Sequence, residues 1–298
     1  MQKITPCIWY DQNALEAANF YVDAFENSQV EYVNYYTEAN QSPSNLPVGT
    51  PLTVRFNLCG QEFLGVNGGP FFKPTPAVSF FVDCESQEQF DQLWEKLATG
   101  GQVLMEVSEY PFSKRFGWVA DRFGVSWQLS LSEKKQTISP YLMFIGKNYG
   151  KAEEALAFYT QVLGSMSAPF IQHNQAELLE NKPTVMLAVF DLAGQPFLIA
   201  ENSYAHAFEI NEGISFVVFC DNQSEIDTHW KQLTEGGEEQ PCGWLKDRFG
   251  VSWQVIPRNI EELSNSDDPI RAARVNAALM KMKKIDMQAL QDAYDGRA

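Results

Sequence analysis

Basic residues are in short supply: 22 lysines and arginines face 38 aspartates and glutamates, a formal net charge of −16. Nucleic acids and anionic membranes both select for basic patches, so neither is an expected partner. Histidine is scarcer still, at three in 298 residues, and no H-x-x-x-H or C-x-x-C spacing occurs, which removes the common metal-binding signatures. The five cysteines form an odd set without framework spacing, which points to reduced thiols and a cytoplasmic protein. No apolar run nears the ~20 residues of a membrane span, and the amino terminus lacks a basic stretch followed by an apolar one. A soluble, unsecreted chain is expected. A glycine-rich strand–turn–helix loop is missing too, which argues against a parallel sheet built around a dinucleotide or similar cofactor.

What the chain does contain is one phrase said twice. GWVADRFGVSWQ (117–128) and GWLKDRFGVSWQ (243–254) agree at ten of twelve positions. SFFVDCESQEQFDQLWEKLATGG (79–101) aligns with SFVVFCDNQSEIDTHWKQLTEGG (215–237), and FNLCGQEFL (56–64) with FDLAGQPFL (190–198). ITPCIWY leads into a helix ending in Phe20-Tyr21, as ISPYLMF leads into one ending in Phe158-Tyr159. A repeat this long exceeds the roughly 20–50 residues of a solenoid unit, so each copy is expected to be a domain with its own core. The polar run Ser132 to Thr137 divides them, giving domains 1–132 and 138–258, with an arm over 259–298.

The hydrophobic period switches between two and 3.6 in a fixed order within each half. Ile4 to Tyr10 reads as a strand, Asn13 to Phe25 as a helix, and strands follow near 29–37, 52–59 and 62–66. The order then recurs: a strand from Val78, a helix over Gln87 to Ala98 with Phe90, Leu93, Trp94 and Leu97 on one face, and strands near 102–107, 115–120 and 125–131. The expected fold is α+β, with two tandem domains, each a pair of βαβββ units forming a curved sheet with helices on its convex side.

The doubled βαβββ order, the Phe-Tyr pair closing the first helix and the GW-x-x-DRFGVSWQ hairpin resemble the vicinal oxygen chelate superfamily, which includes glyoxalase I, fosfomycin-resistance proteins and extradiol dioxygenases. More narrowly they resemble its PhnB-like branch, filed under a demethylubiquinone methyltransferase-like domain name. The superfamily's metalloenzymes hold a divalent ion with a His or Gln in the first strand, a Glu in the fourth, a His opening the second unit and a Glu in the last strand. Here those positions fall near Thr5-Pro6 and Ser139-Pro140, near Arg55-Phe56 and Val189-Phe190, at Ala77 and Gly213, and at Gln128 and Gln254. Too few ligands remain, so no metal and no other cofactor is expected. The alternative is a divalent-metal-dependent lyase, isomerase or dioxygenase with rearranged ligands. A methyltransferase, as the family label suggests, is a weaker third reading, since the element order is wrong for a Rossmann-like cofactor site. The first reading is a small-molecule-binding protein, or an enzyme working without metal.

Strand parity places Trp118 and Gln128, with Trp244 and Gln254, on the concave faces, where indoles and amides suit a small polar or planar ligand. Gln128 then faces a hydrated cup and Trp127 the core. The resemblance adds Phe56 and Phe190 as ligand-facing residues, and Cys242 is a further candidate beside Gly243-Trp244. Asp121-Arg122-Phe123-Gly124 reads as a turn in which the Asp accepts local backbone bonds and the Gly takes positive φ. The first copy carries ten extra residues before its Gly-Trp, a Glu38-to-Pro51 loop and the segment Gly68 to Phe72, any of which can lid a cup. His229 replaces Leu93 of the first copy on the buried stripe and reads as a core residue; His173 and His206 read as loop residues. The methionine-rich arm, with a helix starting at Asp267-Asp268-Pro269 and another near Asp286, packs across the two domains or onto a second chain. The chain is then a monomer with an internal pseudo-dimer, or a homodimer through the arm.

Overall fold

The computed structural model describes residues 2–38, 40, 46–179 and 182–297. Four βαβββ units run along the chain. The first is β1 (Ile4–Tyr10), α1 (Ala14–Ala24), β2 (Gln29–Tyr35), β3 (Pro51–Leu58) and β4 (Gln61–Asn67); the second is β5 (Val78–Cys84), α2 (Gln87–Ala98), β6 (Gln102–Tyr110), β7 (Ser113–Ala120) and β8 (Ser126–Leu131). The third is β9 (Thr137–Phe144), α3 (Ala152–Leu163), β10 (Phe170–Leu179), β11 (Lys182–Leu192) and β12 (Gln195–Glu201); the fourth is β13 (Ile214–Cys220), α4 (Gln223–Leu233), β14 (Glu238–Glu239), β15 (Trp244–Lys246) and β16 (Ser252–Pro257). The arm forms α5 (Ile260–Ser264), α6 (Pro269–Leu279) and α7 (Met287–Asp295). Among the described residues no helix is long and apolar enough to cross a membrane.

Two eight-stranded sheets result, as the α+β reading requires, but the two units of one half do not share a sheet. Sheet I runs β14-β15-β16-β13-β1-β4-β3-β2, joining the first unit to the fourth. Sheet II runs β10-β11-β12-β9-β5-β8-β7-β6, joining the second to the third. Antiparallel seams close both: β1 on β13, with Ile4 opposite Val218, and β5 on β9, with Val78 opposite Leu142. The polar link after β8 therefore lies inside sheet II, and the chain changes sheets in the middle of each half.

The buried apolar residues of both halves form one continuous cluster, within which the aromatic contacts between the sheets stay inside each half. In the first half Tyr21, Phe56, Phe63, Phe80 and Trp127 are all fully buried. Phe63 of sheet I meets Phe80 of sheet II with ring centroids 5.0 Å apart, so α1 and α2 share a core contributed by both sheets. Phe197 and Phe216 repeat the contact at 5.3 Å in the second half. Each half interlocks two sheets, and each sheet interlocks two halves.

Each copy of the repeated phrase is built around a buried carboxylate. Asp121 Oδ1 accepts from the Phe123 and Val125 amides at 2.8 and 3.0 Å, and Oδ2 from Tyr21 Oη and Trp127 Nε1 at 2.7 and 2.9 Å. Asp247 makes the same set with Phe249, Val251, Tyr159 and Trp253. Gly124 and Gly250 close the turns at φ 84° and 82°, where a Cβ is strained. Tyr21 of the Phe-Tyr pair and Asp121 of the DRFGVSW phrase, 100 residues apart in the first copy, are thus two ends of one interaction.

The second half lacks most of the β6–β7 hairpin, and the arm takes its place. The Cys242 and Gly243 amides donate to the Met282 and Lys283 carbonyls, both at 2.8 Å. A Cβ on Gly117 would strike Trp94 and Val107; one on Gly243 would meet Ile285. Val275, Ile285 and Leu290 are fully buried, so the arm spends its apolar face on its own chain.

Candidate functional site

On each sheet the face turned away from the core carries the candidate chemistry. On sheet I the ladder sets Leu64, Cys7, Ser215 and Ser252 side by side, and beside that row Thr5, Val217, Gln254 and Trp244. On sheet II, Leu198, Tyr141 and Ser79 form one row, and Ser139, Phe81, Gln128 and Trp118 the other. Cross-strand partners share a face, so each row converges on one side of its sheet.

The polar residues of these faces are buried while Trp9, Trp244, Phe81, Trp118 and Tyr141 around them stay partly exposed, so the expected hydrated cup is reduced to a polar floor beneath aromatic side chains. Gln128 is 5% exposed and Gln254 9%, and Cys7, Val217 and Phe219 are buried although the helices of the units pack on the other side. Internal hydrogen bonds make that burial tolerable. Gln128 Nε2 donates to Ser79 Oγ at 2.9 Å, Gln254 Nε2 to Ser215 Oγ at 3.0 Å, and Trp118 Nε1 to Ser126 Oγ at 2.6 Å. Trp127 and Trp253 lie in the core on the opposite parity.

Among the described residues, the outward face of sheet I departs from full satisfaction at two atoms, and Tyr10 Oη is a third on the core side of β1. Thr5 Oγ1 and Ser252 Oγ are buried without a hydrogen-bond partner, on the face that also holds Cys7 and Gln254. Burial pushes the Cys7 thiol up to about 11, against hydrogen bonds from Gln254 and Ser215, so it is a protonated thiol at neutral pH. Phe72, from the segment after β4, packs edge-on against Trp9 at 5.1 Å, and Trp9 against Trp244 at 6.0 Å. That segment therefore reaches the sheet I face, whereas the Tyr110–Phe112–Phe116 cluster belongs to the sheet II hairpin. The segment after β4 and the β6–β7 hairpin of the first copy therefore lie against different sheets. Of the Glu38–Pro51 loop, residue 39 and residues 41–45 lie outside the described residues.

Three candidates leave the face. Phe56 and Phe190 are core residues, Phe56 stacked on Phe63 at 5.4 Å and Phe190 against Phe197 at 6.0 Å. Arg55, not Phe56, has the outward parity on β3, and it pairs with Glu261 of α5 at 2.8 Å. Cys242 turns to the arm, with Sγ 3.6 Å from the Leu279 carbonyl and from Met280 Sδ; burial raises its thiol as well. Trp118, Gln128, Trp244 and Gln254 stay on the sheet faces but in two different sites, one on each sheet.

Sheet pairing across the halves also changes which residues stand at the metal positions. The first and fourth strands of the first unit, and the first and last of the fourth unit, bring together Cys7, Leu64, Ser215 and Gln254. Their counterparts on sheet II are Tyr141, Leu198, Ser79 and Gln128. A protonated thiol or phenol, an aliphatic side chain, a hydroxyl and an amide do not fit a divalent cation of the glyoxalase kind. Sequence reasoning missed Cys7 and Tyr141, yet the alternation in ITPCIWY and ISPYLMF already separates them from Ile4, Ile8, Ile138 and Leu142. A further cavity, about 620 Å³, opens between residues 145–149 and 203–210. Its walls are mostly loop, and it touches the sheet II strands only at Met143.

The family model described as 3-demethylubiquinone-9 3-methyltransferase matches twice, over residues 2–130 and 136–256. Among solved structures, a Bacillus cereus protein described as a putative 3-demethylubiquinone-9 3-methyltransferase, PhnB protein, is 41% identical over 44% of this chain and 100% of its own, with TM-score 0.41. Protein PA1353 from Pseudomonas aeruginosa is 20% identical over 42% of this chain and 93% of its own, with TM-score 0.37. Glyoxalase I from Zea mays is 10% identical, covers 90% of this chain and 96% of its own, and has TM-score 0.56, which shows a shared fold. No curated protein matches. The chain therefore belongs to the 3-demethylubiquinone-9 3-methyltransferase family, which it carries in two tandem copies on a glyoxalase-like, vicinal oxygen chelate fold.

Proposed function

We propose that the protein binds a small, uncharged polar molecule on the sheet I face and does so without a divalent ion. The observation that carries this reading is the pair of orphaned hydroxyls, Thr5 Oγ1 and Ser252 Oγ, on a face that already holds an amide and a thiol. Buried hydroxyls without partners are costly, and a ligand that bonds them removes the cost. The neighbouring charges are taken up: Lys246 pairs with Glu212 at 2.7 Å and Arg55 with Glu261, so nothing there calls for an ionic ligand.

Comparison of the two faces selects the first. Where sheet I has Cys7 and Val217, sheet II has Tyr141 and Phe81, whose rings occupy the middle of their own face. The family's methyltransferase label finds no support in a cofactor loop, and the donor sets argue against a metal-dependent reaction on either face. The test is native mass spectrometry of the purified chain beside Cys7→Tyr, which installs the sheet II residue. A small molecule retained by the wild type and lost in the variant is expected. One equivalent of metal that disappears in Gln254→Ala would overturn the proposal.

A further inference from the structure

We propose that Cys220, Glu225 and His229 form a zinc-type cation site at the start of α4, away from the sheet faces. Cys220 ends β13 and is fully buried; Glu225 lies in the first turn of α4, and His229 follows one turn later on the same side. One ligand atom from each, a thiol sulfur, a carboxylate oxygen and a ring nitrogen, lies within 4.8 Å of the others. These are the donor types a tetrahedral zinc ion takes, with water in the remaining position. Asn222 fixes the helix start by accepting from the Glu225 amide at 3.0 Å, so two of the donors ride on one rigid element. His229 Nδ1 is buried without a hydrogen-bond partner. A buried ring nitrogen left unpartnered beside a carboxylate and a thiol is free to take a metal ion.

The first copy supplies an internal control. Its aligned residues are Cys84, Gln89 and Leu93: the cysteine and the strand–helix frame are kept, and the other two donors are missing. The copies thus differ at the two positions that complete a ligand set. A resident cation already sits there, because Lys3 Nζ lies 2.5 Å from Glu225 Oε2, and the Phe219 amide bonds the Lys3 carbonyl at 3.0 Å. A metal ion must displace that ammonium and the Cys220 proton. Binding is therefore weaker than in a dedicated site and strengthens with pH.

Cobalt(II) titration of the full chain reads this directly, through the thiolate-to-cobalt charge-transfer band and the visible bands of a tetrahedral ion. The wild type should give both. His229→Leu and Glu225→Gln, which install residues the first copy accommodates, should abolish them while circular dichroism stays unchanged. Lys3→Gln should tighten binding by about tenfold or more, since a positive charge leaves the site. Absence of a band in Lys3→Gln at millimolar cobalt would overturn the site. So would a band that survives His229→Leu, as adventitious binding at Cys59 or Cys242 would, or an affinity indifferent to Lys3.

Discussion

At the residue scale, the two aspartates of the repeated phrase are structural groups with an electrostatic signature. Burial pushes Asp247 up from the ordinary 3.8 to about 6, against the bonds from Trp253, Tyr159, Phe249 and Val251 that favour its ionised form. The folded chain then keeps a proton that the unfolded chain has released. This group's contribution to stability is complete below the unfolded value and is lost as pH rises through the folded one. Asp247→Asn puts an amide where a carboxylate met four donors, at a cost of about 2 kcal/mol or more. The gap in melting temperature between wild type and Asp247→Asn should therefore narrow from about pH 4 to about pH 7. A constant gap would mean that the carboxylate keeps its ordinary pKa. The turn itself was readable from Asp, Gly and Trp, whereas the Tyr21 and Tyr159 hydroxyls were not: nothing in a sequence announces a bond across about a hundred residues. Phe56 was misplaced for a more avoidable reason, since Val54, Phe56 and Leu58 alternate with Thr53, Arg55 and Asn57 and so declare the core parity.

At the element scale, the copies differ where a hairpin is exchanged for the arm. The wall beside Gly117 is Trp94 and Val107, and the wall beside Gly243 includes Ile285. Ile285 is fully buried, while Val107 is only partly so. Ile285→Ala should cost about 2–5 kcal/mol in urea unfolding, the usual range for emptying a core aliphatic site, and Val107→Ala distinctly less. Equal losses would show that the arm is dispensable to the fold. The helices α6 and α7 were legible from their Asp caps and apolar spacing, because capping is local chemistry. Their docking place was not, since it depends on an edge left bare by ten residues missing elsewhere in the chain.

At the scale of the molecule, periodicity and the repeat revealed four similar units, but similarity is what hides their partners: any first unit can pair with any second. Each half supplies one unit to each sheet, so a lone half has β1 and β5 with bare seam edges where β13 and β9 pair in the intact chain. Unpaired edges of central, apolar strands seek a partner. By the symmetry of the repeat, β1 of one isolated half can take β5 of another in place of β13. We therefore expect residues 1–132 expressed alone to form a dimer by light scattering, and the full chain, with both seams closed internally and its arm folded onto itself, to be a monomer. Co-expressed 1–132 and 133–298 should recover the full-length circular dichroism spectrum as a one-to-one complex. A stable, folded monomer of 1–132 would show that the seams are incidental and that each half can close a sheet on its own.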